Sequence, residues 1–188
     1  MKIGVGKSLI LLSAIIITMS LAACHDDTEM IQKQKDNITS YIHRLYSADN
    51  PNTDPEYIPY TIHNGVYRYI LGNVIPENVR PPELDVVAKG SVVSMKFAAM
   101  TFGTAPVVPP YYSNMSEAEL KDAGLSANNF IPPWDVSPLM LKVGEGVVLM
   151  SRMEDALIGC ELGDAFFLFL PSDIAYGAKD NGMVAPNS

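Results

Sequence analysis

Basic residues, histidine and cysteine are all scarce in this 188-residue chain, and each shortage removes a class of function. Lys and Arg number 13 against 21 Asp and Glu, a formal net charge of −8. That balance opposes a nucleic-acid partner and offers no attraction to anionic lipid. The three histidines, His25, His43 and His63, share no ligand spacing with one another or with Cys160. No metal and no cofactor is therefore expected. Long apolar runs are short as well. The stretch from Leu9 to Met19, preceded by Lys2 and Lys7, is too brief for a stop-transfer helix.

What that stretch does fit is an export signal. It ends in Leu21-Ala22-Ala23-Cys24, small residues before a cysteine that resemble a bacterial lipobox. The reading is a signal peptide over 1–23, with Cys24 the lipid-bearing N-terminus of a membrane-tethered domain in the bacterial cell envelope. The tether sits on the periplasmic face or at the cell surface. His25-Asp26-Asp27, directly after Cys24, resembles lipoprotein export signals in some bacterial groups. Without Lys2 and Lys7 the mature chain holds 11 basic and 21 acidic residues, a net of −10. With Cys24 lipidated, Cys160 has no partner for an intrachain disulfide. Its setting, Leu157-Ile158-Gly159-Cys160, reads as a buried structural thiol rather than a nucleophile.

The remaining 165 residues suffice for one domain plus an arm. A helix is expected over 28–46, with Ile31, Ile38, Ile42 and Leu45 on one stripe, broadened by Tyr41 and Tyr46. Thr28 is the candidate cap. The helix packs either on its own domain or on a partner. Residues 47–59, rich in Asp, Asn and Pro, read as a linker, so 24–59 form an N-terminal helix and arm. From Tyr60 the pattern turns to strands, at Gly65–Leu71, Gly90–Ala98, Leu139–Val143, Val147–Met150 and Ala165–Leu170, the last expected to be buried. Two short helices are expected. Ser116–Ala123 ends at Gly124, and Glu154–Ile158 stops at Gly159. The Asn-x-Ser/Thr triplets at Asn37 and Asn114 carry no glycosylation meaning in a bacterial lipoprotein. The class is α+β.

The C-terminal residues are the most informative. Phe166-Phe167-Leu168-Phe169-Leu170-Pro171-Ser172-Asp173-Ile174-Ala175-Tyr176-Gly177, running on to Val184-Ala185-Pro186-Asn187-Ser188, resembles the signature of FKBP-type peptidyl-prolyl cis-trans isomerases. Asn64-Gly65-Val66-Tyr67 is similar to that family's opening strand, and Lys89-Gly90-Ser91-Val92-Val93 to the strand leading to its pocket aromatic, here Phe97. Trp134-Asp135-Val136-Ser137 and Pro138-Leu139-Met140-Leu141-Lys142-Val143-Gly144 parallel the family's Phe-Asp-x-Ser and Pro-x-x-Phe-x-x-Gly segments. Glu161-Leu162-Gly163-Asp164 resembles the turn before its core strand. The resemblance implies an FKBP-like antiparallel sheet wrapped around one short helix over 60–188. It further implies an insertion at 103–133 before the third strand, expected near the pocket mouth, and a final strand that the sequence does not reach by Ser188, read as truncation or else as a gap that another segment or chain fills.

It also implies a site and an activity. Asp135 and Tyr176 would be catalytic; Phe97, Trp134, Val148, Leu149, Met153, Met183 and Val184 would line the substrate pocket. The partners implied are proline-containing polypeptides, with the membrane reached through Cys24. Arg152-Met153 stands where the family has Gly-Trp, which gives a softer floor without an indole donor. Two rivals stay open: a non-catalytic FKBP-like lipoprotein that binds a peptide or partner, and a structural lipoprotein that oligomerises through the 28–46 helix.

Overall fold

The computed structural model describes residues 5–51, 57–81, 83, 85–125, 135–146 and 151–175; of residues 5–26 and Ser151 it describes the backbone alone. Helix α1 runs Val5–Asp49. No Gly or Pro interrupts residues 7–50, so nothing in the chain breaks the hydrogen-bond ladder there. Thr28, expected to cap the helix, is accordingly one of its interior residues. The end is sharp: Asn50 donates both its backbone N–H and its side-chain amide to the Tyr46 carbonyl, and Pro51 cannot continue the helix.

The strands come next. β1 (Thr61–His63) and β2 (Val66–Asn73) form a hairpin whose turn is Asn64-Gly65. Both turn residues have positive φ, 49° and 88°, the requirement of a tight two-residue hairpin. An opening strand that includes Asn64 and Gly65 was expected; their left-handed backbone puts them in the turn instead. β2 then pairs antiparallel with β7 (Asp164–Phe169), giving the order β1-β2-β7. A second antiparallel pair joins β3 (Val92–Met95) to β6 (Leu139–Lys142), and a third joins β4 (Ala98–Ala99) to β5 (Tyr112–Ser113). Helix α2 spans Glu117–Asp122 and α3 spans Ser151–Leu157. The molecule is α+β.

Alternation along β2 and β7 builds two apolar clusters, one on each face of their sheet. Tyr67, Tyr69 and Phe169 pack with Ile38 and Ile42 of α1, flanked by Tyr41, Leu45, Tyr46 and Phe167. Phe166 and Leu168, pointing the other way, join Leu141, Val143 and Leu157 from β6 and α3. The expected helical stripe is therefore spent within the chain, at Ile38 and Ile42, while Ile31 is half-buried outside this cluster. β7 was expected to be fully buried, but only Phe169 is. It lies at the end of the three-stranded sheet, with no strand paired to its outer edge among the described residues.

Between the layers sits a buried cation. Arg68 of β2 is 7 % exposed and its Nη1 donates to the carbonyls of Ala156 and Ile158, both at 2.8 Å, and to Cys160 Sγ at 3.3 Å. It satisfies the open carbonyl end of α3 and ties that helix to the sheet. Cys160 is buried as expected; burial pushes its thiol up, which suits a structural role.

Ile42 is fully buried at the α1–sheet contact. Ile42→Ala should cost about 3 kcal/mol in denaturant unfolding, the usual penalty for a large-to-small change in a packed site. A loss under about 0.5 kcal/mol, the scale of a surface change, would mean that α1 is not docked on the sheet.

Candidate functional site

Three of the residues expected to line the site are described, and each is held by a different device. Phe97 stands at the break between β3 and β4, half-buried, its ring 5.4 Å from that of Tyr112. A single continuous strand was expected over Gly90–Ala98. It is interrupted because a side chain replaces the neighbouring strand: Asn114 Oδ1 accepts the Phe97 N–H at 2.6 Å, and Asn114 Nδ2 donates to the Met95 carbonyl at 3.1 Å. The Phe97 carbonyl accepts from the Ser113 hydroxyl and the Asn114 N–H.

Asp135 is exposed, and its Oδ1 accepts from the Ser137 N–H at 2.9 Å and the Ser137 hydroxyl at 2.8 Å. Those two bonds, the hydroxyl's first, hold the carboxyl below its ordinary range. The group is thus an ionised acceptor at neutral pH. Asn114 Nδ2 also donates to the Ser137 carbonyl at 3.2 Å. One buried amide therefore ties the Phe97 segment to the turn that carries Asp135.

Asn114 is itself well anchored. It is 3 % exposed and precedes α2, whose start is a capping box between Ser116 and Glu119. The Lys96 ammonium and the Ser116 hydroxyl and N–H hold the Glu119 carboxyl at about 2. Leu120 beneath it is fully buried. Phe102 and the first two residues of the insertion lie against α1 and β7. Phe102 packs edge-on to Tyr41 and Phe169, and α1 donates from Asn37 to the Gly103 carbonyl and from Arg44 to the Thr104 carbonyl.

Met153 is half-buried in the first turn of α3, and no described contact joins it to Phe97 or Asp135. Its neighbour Glu154 is 1 % exposed, and Oε2 accepts from the N–H groups of Gly144 and Gly146, both at 2.9 Å. That carboxylate fixes the turn after β6. Gly144 has φ 92°, and a Cβ there would meet Lys89 Cγ at 2.9 Å, so the position needs glycine. Val148 and Leu149 follow this turn but lie outside the described residues, as do Trp134, Tyr176, Met183 and Val184. The backbone at Cys24 is helical; its side chain lies outside them too.

The approach to Tyr176 is described as far as Ala175. Ile174 and Ala175 turn back on the Pro171 carbonyl, and the Ser172 N–H donates to Gln34 Oε1 of α1 at 3.0 Å. Ile174 lies against Gly65, where an added Cβ would meet its Cδ1 at 3.3 Å. Beside it, Asn64 Nδ2 donates to Asp155 Oδ2 of α3 at 2.7 Å. The turn before Tyr176 thus sits where α1 and the β1–β2 hairpin meet, with α3 tied to that hairpin.

No family model, curated protein or solved structure matches this chain. Among the described residues no His, Cys, Asp and Glu group could hold a metal ion, and no helix is long and apolar enough to cross a membrane.

Asn114 and Glu154 are the residues that sequence reasoning missed. Asn114→Ala should cost about 3 kcal/mol, since it strands the Phe97 N–H and the carbonyls of Met95 and Ser137 in partly buried surroundings. Thermal unfolding read alongside Asn37→Ala checks this. Asn37 makes one exposed bond, to the Gly103 carbonyl, and its loss should cost under about 1 kcal/mol.

Proposed function

We propose that the chain is a lipid-anchored, FKBP-like peptidyl-prolyl cis-trans isomerase acting on exported proteins in the bacterial cell envelope. The observation that carries the reading is the order and pairing of elements. Among the described residues β2, β3, α2, β6, α3 and β7 follow one another in an order compatible with the resemblance, the strand pairings are antiparallel, and α3 packs against β1 and β2.

An X-Pro bond has nearly balanced isomers separated by a barrier of roughly 18–20 kcal/mol. Crossing it breaks no covalent bond, so neither a nucleophile nor a metal is needed. At the transition state the twisted amide has lost resonance and its carbonyl is less polar than in the planar form. A dry apolar pocket therefore disfavours the planar amide more than the twisted one, which is differential binding in the useful direction. A thousandfold acceleration needs only about 4 kcal/mol.

In this proposal Phe97, Trp134, Val148, Leu149 and Met153 supply the apolar walls, Met183 and Val184 close one side, and the Tyr176 hydroxyl donates to a substrate carbonyl. Asp135, ionised and already turned by Ser137, orients Tyr176 or polarises the twisted amide. It works as an acceptor and moves no proton. The second reading, peptide binding without catalysis, is favoured by Met153, a flexible side chain where the family carries an indole.

The test is isomerisation of an Xaa-Pro tetrapeptide followed by exchange NMR, with Tyr176→Phe and Asp135→Val beside the parent protein. The expected result is acceleration by the parent and a drop of about tenfold in kcat/KM for each variant, the worth of one oriented hydrogen bond. Equal rates in all three would remove Asp135 and Tyr176 from the site. Saturable peptide binding with no acceleration would select the second reading.

A further inference from the structure

The pairing of β1 with β2 covers only the first part of β2. The β1–β2 ladder runs from His63↔Val66 to Thr61↔Arg68 and ends there. In that register the next mutually bonded partner of β2 after Arg68 is Ile70, opposite Pro59. Proline has no N–H to give, so the ladder cannot continue. Ile70 lies opposite Phe166 of β7, at the start of the irregularity between Ile70 and Gly72, and by the alternation of the ladder its N–H faces the β1 side, where β1 no longer pairs.

At that point the chain at 57–60 diverges from β2 and leaves a hollow of about 420 Å³ against the end of α1. Its walls include Tyr46, Tyr57, Tyr69, Ile70 and Leu71, with two charged residues, Asp49 and Arg68, the latter with its guanidinium bonded to the Ala156 and Ile158 carbonyls. The Tyr46 and Tyr57 rings lie 5.1 Å apart, tilted by 35°. The apolar surface here is open: Ile58 is 60 % exposed, Leu71 52 % and Ile70 43 %. A contiguous patch of that kind beside an unpaired strand edge marks an interaction surface.

Charge decides the class of partner. Asp49 is the last residue of α1, at the negative end of the helix, and the last turn holds no basic residue. Asp49 has no ion-pair partner among the described residues. Tyrosine rings and a carboxylate together favour an alkylammonium or guanidinium group. The whole chain, at a net −8, attracts basic partners from a distance.

We propose that this hollow binds an extended basic peptide segment, which adds to the open edge of β2 at Ile70 and seats a lysine or arginine side chain among the tyrosines and Asp49. The mode is strand addition, in which main-chain bonds give affinity and side-chain hollows give selectivity. It shares no residue with the isomerase site proposed above, so either proposal stands or falls alone.

The experiment measures fluorescence anisotropy of labelled nine-residue peptides that alternate Val with Thr or Lys, using the full chain. Controls carry Glu in place of Lys, or N-methyl groups along one backbone edge. The lysine peptide should bind with a Kd on the order of 10 μM at low salt and shift the Ile70 amide in 15N spectra. Asp49→Lys, an exposed change at a helix end, should weaken binding about tenfold, and N-methylation should abolish it. Equal binding of the Glu peptide, undiminished binding after N-methylation, an unshifted Ile70 amide, or no binding at all would each overturn the proposal.

Discussion

Everything in this fold depends on the two-faced character of β2. Its alternate side chains belong to different cores: Tyr67 and Tyr69 face α1, while Arg68 between them faces the end of α3. A strand presents its faces with a period of two, so a slip of one residue would exchange these partners. It would drive Arg68 into an aromatic cluster and leave the α3 carbonyls without donors. The register is thereby fixed from both sides, by apolar burial on one and by a charged hydrogen-bond network on the other.

That constraint also limits where the proposed site can lie. With α1 covering one face of the β1-β2-β7 sheet, any pocket formed with α3 and the β3–β6 pair lies on the other. Two polar clamps hold the loops near α3 and the β3–β6 pair, Asn114 between Phe97 and the Asp135 turn and Glu154 on the glycine turn after β6, while Gln34 of α1 holds the turn that leads to Tyr176. Each satisfies backbone groups that irregular chain would otherwise leave unpaired. Such preorganisation is what a site acting by desolvation and oriented hydrogen bonds requires, because no covalent step compensates for loose geometry.

Regular elements were legible in the sequence because their signals are local. Alternation placed β2, β6 and β7 nearly to the residue, and Gly124 and Gly159 marked where α2 and α3 stop. Long-range polar contacts were not legible. Asn114 belongs to a triplet dismissed as an idle glycosylation pattern, and nothing local tells that its amide spans three segments. Arg68 fits an alternating strand equally well facing water or facing a helix end. Asn64-Gly65 carried a strong hairpin signal that was subordinated to the strand beside it, and the length of α1 escaped because a cap was sought where no break exists. The family resemblance added named roles for Phe97, Asp135 and Met153, and of these the described contacts join the Phe97 and Asp135 segments through Asn114 alone.

Native-state hydrogen exchange on the intact protein tests the central claim most directly. If α1 and β2 form one cooperative unit, the amides of Ile38 to Leu45 and those of Tyr67 and Tyr69 should exchange through the same opening, with free energies within about 1 kcal/mol of one another. Helix amides that exchange several kcal/mol more easily than the strand, as from an arm merely resting on the domain, would contradict it.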